Sequence, residues 1–279
     1  MKFKLGFSPC PNDTFIFNAL VSILIDWQGL DFDFFIADVE ELNKRAEIGD
    51  LDITKISYAS YSKLADRYIV LNSGSALGYG NGPLVVSKKK IYPDELHDAK
   101  IATPGFGTTA NALFRMLVPD TVNISEYLFS DIEDAILSGE VDAGILIHEN
   151  RFTYKQKGLK LVQDLGRFWE ERTRLPIPLG GIVARRDINE QTLFIIDKLM
   201  TESVKHATEN PLSAVSFMRK HAQTIDKDVM QQHLNLFVNE QTLFLDSQGR
   251  KAIVHFCNEL RNADKLASME NYFVPCYLT

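Results

Sequence analysis

Ser8-Pro9-Cys10-Pro11-Asn12-Asp13-Thr14-Phe15-Ile16-Phe17 is the stretch that decides the fold. It follows a short strand pattern, Phe3-Lys4-Leu5-Gly6-Phe7, and opens an apolar helical run from Phe15 to Leu24. Proline fixes φ and carries no N–H, so Pro9 and Pro11 stop both strand and helix and make the corner rigid. Asn12 or Asp13 is suited to cap the helix that follows. A strand, a rigid corner and a helix start leave free backbone N–H groups beyond the strand's end, where anionic ligands bind.

The same plan occurs twice. The second copy runs Lys100-Ile101-Ala102, the loop Thr103-Pro104-Gly105-Phe106-Gly107, and a helix over Thr108–Leu117. Each copy continues with a helix that ends in glycine and a strand begun by aspartate. In the first, Glu40–Ile48 precedes Gly49 and the strand Asp52–Tyr58; in the second, Ile132–Ser138 precedes Gly139 and the strand Asp142–His148. Glycine at a helix C-cap supplies the left-handed conformation needed there. Nine residues on from each glycine stand Tyr58 and His148. These parallels predict an internal pseudo-repeat, each copy a small parallel sheet flanked by helices.

Two stretches rich in glycine and proline, Gly80-Asn81-Gly82-Pro83 and Leu175-Pro176-Ile177-Pro178-Leu179-Gly180-Gly181, each lead into a strand and read as a paired hinge. Beyond Arg186 the apolar spacing predicts helices over Glu190–Glu209, Leu212–Ala222, Lys227–Leu236 and Gln248–Ala263, with Leu193, Ile196, Met200 and Val204 on a core face. The expected fold class is α/β and bilobal. Residues 1–86 with 181–279 make the first lobe and 87–180 an inserted second, with a cleft between their sheets.

The bulk numbers set bounds. A chain of 279 residues, 45% hydrophobic and 24% charged, can bury a large core. Its net charge of −7 is mixed along the chain, and even Lys88-Lys89-Lys90 is followed by Asp94-Glu95, so no nucleic-acid partner is expected. No apolar run reaches the length of a membrane span, and the N-terminus lacks the apolar core of a signal peptide. Cys10, Cys257 and Cys276 are odd in number and far apart, forming neither a disulfide framework nor a zinc spacing. A cytoplasmic setting fits, and no metal is expected. Nothing in the sequence sets an oligomeric state.

Ligands of parallel α/β sheets lie beyond the carboxyl ends of the strands, which gathers Ser8–Thr14, Lys55–Tyr58, Thr103–Asn111 and His148–Arg151 around one cleft. Among six histidines, His148 ends an apolar strand. It can take a proton near neutral pH, or serve merely as a strand end bonded to backbone. Thr108, Thr109 and Ala110 open a helix whose hydroxyls and N–H groups suit a carboxylate, with plain capping as the alternative. Lys55 and Ser57, flanking Ile56, can hydrogen-bond a polar ligand or be ordinary strand-end residues. Cys10 reads as a small, partly buried filler, and Trp169 as packing at the hinge rather than a cleft wall. Gly78-Tyr79-Gly80 has no helix after it and predicts no dinucleotide site.

The corner Ser8–Phe17, the Lys55–Ser57–Tyr58 strand end, Thr108-Thr109-Ala110, the His148-Glu149…Arg151-Phe152-Thr153 segment and Leu175-Pro176…Gly180-Gly181 together resemble the 1,4-dihydroxy-6-naphthoate synthase family of the futalosine route to menaquinone. The resemblance spans nearly the whole chain. It implies the type II periplasmic-binding-protein fold, two mixed sheets flanked by helices, adapted to catalysis. It also implies a carbon–carbon lyase that takes cyclic dehypoxanthinyl futalosine, a small-molecule carboxylate, to 1,4-dihydroxy-6-naphthoate and dihydroxyacetone, with no organic cofactor or metal. His148 maps onto the proton acceptor; Lys55, Ile56, Ser57, Thr109 and Ala110 map onto substrate contacts, with Thr108 and Asn12 beside them. Asn150 departs from the glycine common at that place. The main rival is a cytosolic or exported solute-binding protein of the same fold.

Overall fold

The computed structural model describes residues 2–148, 150–221, 227–269 and 271–275, so Glu149, Ala222 and Cys276 lie outside the described residues. The chain runs β1 (Lys2–Phe7), α1 (Pro11–Val21), β2 (Asp31–Ile36), α2 (Val39–Ile48), β3 (Ile53–Ser57), α3 (Tyr58–Leu64), β4 (Tyr68–Val70) and β5 (Ala76–Gly78). It then enters a second unit: β6 (Leu84–Ser87), β7 (Ile101–Thr103), α4 (Thr109–Leu117), β8 (Ile124–Glu126), α5 (Ile132–Ser138), β9 (Ala143–Leu146), α6 (Asn150–Thr153), β10 (Lys160–Asp164) and α7 (Leu165–Thr173). Strand β11 (Ile177–Arg185) returns to the first unit. Helices α8 (Glu190–Glu209), α9 (Pro211–His221), α10 (Lys227–Phe237), α11 (Glu240–Leu243) and α12 (Ser247–Ala263) follow.

The first sheet has the order β2-β1-β3-β11-β4, with β5 also on β11; the second has the order β10-β6-β9-β7-β8. Each has a parallel core, β2-β1-β3 and β8-β7-β9, beside an antiparallel crossing strand, β11 or β6. The two halves therefore share one β-α-β-α-β plan. Gly49 and Gly139 are both left-handed C-caps, at φ 74° and 84°. The aspartate three residues on does the same work in each half. Asp52 accepts from the Lys4 N–H at 2.9 Å, and Asp142 from the Lys100 N–H at 2.8 Å. The short Gly-x-x-Asp spacing thus staples the incoming strand to its neighbour in both lobes.

Several boundaries differ from the sequence reading, each for a local reason. Helix α1 begins at Pro11 rather than Phe15, because proline at N1 has a preset helical φ and no N–H to lose. Cys10 is its N-cap, and Asn12 and Asp13 are buried in the first turn rather than capping it. Strand β9 stops at Leu146, and His148 lies in the turn beyond. Tyr58 starts α3 and is fully buried, its hydroxyl 2.7 Å from Ser75 Oγ, so it belongs to the core and not to the cleft. Leu84–Ser87 pairs in the second sheet and Ile177–Gly180 in the first. The chain therefore changes sheet at Gly80–Pro83 and at Arg174–Pro176, a few residues before the expected divisions at 86/87 and 180/181.

Helix α8 buries Leu193, Ile196, Met200 and Val204 against Phe15, Ile16 and Leu20 of α1. A second apolar cluster crosses between the sheets, joining Ile56, Tyr58 and Val183 to Ile101, Phe114, Ile145 and Trp169. Trp169 donates to the Pro176 carbonyl at 3.0 Å and is fully enclosed, as packing at the crossing requires. At that crossing Gly82 rests directly on Gly166. A Cβ on Gly82 would fall 2.3 Å from the Gly166 Cα. Gly82→Ala is expected to destabilise the protein by about 1–3 kcal/mol, the usual cost of overpacking against backbone. The midpoint of urea unfolding checks it.

Candidate active site

The ends of the parallel strands of both sheets open on one cavity of about 750 Å³, its mouth included. Asn12, Lys55, Ile56, Ser57, Thr108, Thr109, Ala110 and His148 all line it. The first-lobe wall is organised by Asp13. Its carboxylate accepts from Ser8 Oγ at 2.6 Å, Ser8 N at 3.3 Å, Asn12 Nδ2 at 2.9 Å and Lys55 Nζ at 2.5 Å. Lys55 and Asp13 are both buried, so the lysine charge expected for ligand binding is already paired. With its amide nitrogen on Asp13, Asn12 turns its oxygen to His233 Nε2, 2.9 Å away. Only an N–H can meet that oxygen, so His233 carries its proton on Nε2. Burial, aided by His148, Lys55 and Arg151, pushes His233 well below its ordinary pKa and keeps it neutral.

Helix α4 supplies the second-lobe wall, though by other groups than the hydroxyls. Thr108 is the N-cap: its Oγ1 accepts from Asn111 N at 3.2 Å and donates to Gly105 O at 2.7 Å. Thr109 Oγ1 donates to Leu179 O at 2.8 Å and accepts from Ala59 N at 3.3 Å. Both hydroxyls are spent on protein. The N–H groups of Thr109 and Ala110, at N1 and N2, find no acceptor among the described residues and face the cavity end of the helix. Ser57 Oγ accepts from Asn43 Nδ2 at 3.3 Å and keeps its own proton to donate.

The lobes are clasped beside this seat. Glu40 of α2 accepts from Gly107 N at 2.9 Å, and Ser60 Oγ donates to Gly107 O at 2.9 Å. Lys44 pairs with Glu126. A Cβ on Gly105 would collide with the Glu40 carboxylate at 2.4 Å from its Cδ, and Gly105 has φ 144°. Burial raises the Glu40 pKa, with the Asn43 and Gly107 hydrogen bonds opposing.

His148 sits at φ 55°, a left-handed backbone that costs a non-glycine residue about 1 kcal/mol or more. Its ring centroid lies 4.8 Å from that of Phe129, the two rings inclined at 68°, and 6.2 Å from the nearly parallel His233 ring. Cys10 Sγ is 3.3 Å from Nδ1 and 3.5 Å from Nε2. A sulfur nearly equidistant from both nitrogens cannot lie in the ring plane, where Cε1 would block it, so it sits over the face. Among the described residues no other hydrogen-bonding group is placed on either nitrogen.

Arg151, the end of a segment expected at the cleft though given no role there, lines the cavity, as do Asn81 and His233, which the sequence did not place there. Arg151 had a signal, standing three residues after His148; its Nη1 donates to Gly82 O at 2.6 Å, and burial lowers its pKa. His233 had none, since α10 reads only as an amphipathic helix. Among the described residues no group of three or more His, Cys, Asp or Glu side chains could hold a metal ion. No helix there is long and apolar enough to cross a membrane.

A family model described as menaquinone biosynthesis matches residues 3–262. A 1,4-dihydroxy-6-naphthoate synthase from Thermus thermophilus is 43% identical over 256 residues, covering 92% of this chain and 93% of the relative. Its namesake from Streptomyces coelicolor is 40% identical, covering 90% and 89%. The crystal structure of protein AF1704 from Archaeoglobus fulgidus superposes with a TM-score of 0.88 at 34% identity, covering 95% of this chain and 98% of that one. The alkanesulfonate-binding protein SsuA from Xanthomonas axonopodis, bound to MOPS, gives a TM-score of 0.71 at 12% identity over 98% and 96% of the two chains. That last likeness shows the fold alone, the periplasmic-binding-protein fold.

Two outcomes follow from the Asp13 network. Asp13→Asn strands the Lys55 charge and is expected to cost about 3–5 kcal/mol, whereas the double change Asp13→Leu with Lys55→Met costs far less; denaturant unfolding compares them. A histidine held neutral in the fold gives stability that is complete above its ordinary value of 6.5 and is lost as pH falls below it. The stability gap between wild type and His233→Gln should therefore narrow from pH 7 to pH 5.

Proposed function

This chain belongs to the menaquinone-biosynthesis family, and we propose that it converts cyclic dehypoxanthinyl futalosine into 1,4-dihydroxy-6-naphthoate and dihydroxyacetone, as a carbon–carbon lyase. The observation that carries this reading is His148: a histidine in a strained backbone, on the wall of a cavity lined by both lobes, with only the Cys10 sulfur against its ring nitrogens among the described residues. The name shared by the curated relatives supports the same product.

The cavity offers a division of labour. The Thr109 and Ala110 N–H groups at the positive end of α4, with the Ser57 hydroxyl, seat the substrate carboxylate. Arg151 adds positive potential, while the Lys55 charge is balanced by Asp13. Held there, the substrate meets His148, which removes a proton. The electron pair released forms a new π bond as the carbon–carbon bond breaks, and the pair of that bond leaves with the dihydroxyacetone fragment. The imidazolium returns the proton to that fragment, and aromatisation of the remaining ring drives the step forward. With that driving force, positioning and one base carry the step. The enclosing walls keep water from the reactive intermediate.

A solute-binding protein would also seat a carboxylate at a helix start, but it has no use for an imidazole in a strained backbone beside it. Incubation of the purified protein with cyclic dehypoxanthinyl futalosine should yield 1,4-dihydroxy-6-naphthoate, detected by chromatography and mass. Binding without product would favour the receptor. His148→Asn is expected to lower turnover by about a hundredfold or more with KM little changed, the usual scale for a general base. Near-normal turnover in that variant would remove His148 from the role.

A further inference from the structure

We infer that Cys10 is a positioning residue for His148, its sulfur holding the imidazole by the face so that both ring nitrogens stay available. The inference rests on His148 being the base, as proposed above. Histidines used as bases are commonly oriented by an in-plane hydrogen bond from a carboxylate or carbonyl. Among the described residues His148 has no such partner. Among the described residues, Phe129 lies 4.8 Å away with its ring steeply inclined, the His233 ring is 6.2 Å away, and the Cys10 sulfur sits over the face.

The sulfur is placed with unusual firmness for a side chain. Cys10 is the N-cap of α1 at φ −61° and ψ 149°, with prolines on both sides. Its carbonyl accepts from Thr14 N and from Thr14 Oγ1, both at 2.9 Å, and its N–H points to Ser8 Oγ at 3.4 Å. Ser8 in turn is bonded to the buried Asp13 carboxylate. The thiol therefore projects from a fixed point of the first lobe onto a ring carried by the second. His148 has the opposite character, standing in a turn past the end of β9, outside the sheet. Its orientation is thus supplied from across the cleft.

Cysteine suits this task better than its near neighbours. A polarisable sulfur packs well on an aromatic ring and is a weak hydrogen-bonding group. A serine hydroxyl in its place would compete for a ring nitrogen, and alanine would leave the face uncovered.

The test measures Cys10→Ala and Cys10→Val beside wild type, using steady-state kinetics and NMR of the His148 ring C–H signals, assigned by their loss in His148→Asn. Cys10→Ala should lower kcat about tenfold or more, with KM within about twofold, since small misplacement of a reacting group is costly. Its His148 signals should shift and broaden while the thermal midpoint moves little. Cys10→Val, which refills the space without a hydrogen bond, should restore a single narrow signal and most of kcat. Unchanged kcat and unchanged His148 signals in Cys10→Ala would overturn the inference, as would a kcat loss in both variants that follows stability alone. Should wild type show no turnover, the proposed reaction fails, and the NMR comparison still decides whether the thiol orients the ring.

Discussion

One carboxylate that is closed off from solvent, Asp13, ties the first lobe's wall together. It collects Ser8 from the end of β1, Asn12 from its own helix and Lys55 from β3, and through Asn12 it reaches His233 on α10. A buried carboxylate is costly unless every lone pair is met. Meeting them here requires that three separate elements arrive in register. Stability is the lesser result of that requirement. The greater one is that the corner, and with it the Cys10 sulfur, has a single position relative to the sheet.

The second constraint is that the lobes share a packed seam. An apolar cluster runs without break from Tyr58 and Val183 to Phe114 and Trp169, and the Glu40 carboxylate sits against the Gly105–Gly107 loop. Thr109 shows the same economy, since its hydroxyl bonds to Ala59 and Leu179 of the first lobe rather than to a ligand. The polar side chains that looked like ligand groups by type are largely spent on protein: Thr109 joins the lobes, while Lys55 and Thr108 bond within their own. Beside the Ser57 hydroxyl, the groups facing the cavity from α4 are backbone N–H groups, which no residue type announces.

That distinction also explains what could be read from the sequence. The pseudo-repeat was legible because its signals are local and covalent in origin: Gly49 and Gly139 at left-handed caps, and aspartates three residues later stapling the next strand. The gathering of Lys55, Thr109 and His148 on one cavity followed from the rule for parallel strand ends. Strands β2 and β8 were passed over, as was the early start of α1, because Pro11 reads as a breaker until one sees it at N1. His233 and the pairing of Lys55 with Asp13 depend on contacts between residues far apart in the chain. No periodicity carries that information.

A receptor and an enzyme can share this fold, and the difference lies in what is left unpaired. Both need a seat, and a helix start with idle N–H groups provides one to either. Only an enzyme gains from holding a histidine in a left-handed backbone, which costs stability and needs support elsewhere. Here the support comes from a corner whose prolines, cap and buried carboxylate leave it no freedom. The Ser-Pro-Cys-Pro-Asn-Asp block therefore makes physical sense as a unit: the prolines fix the chain, the aspartate fixes the corner to the sheet, and the sulfur between them meets the His148 ring across the cleft.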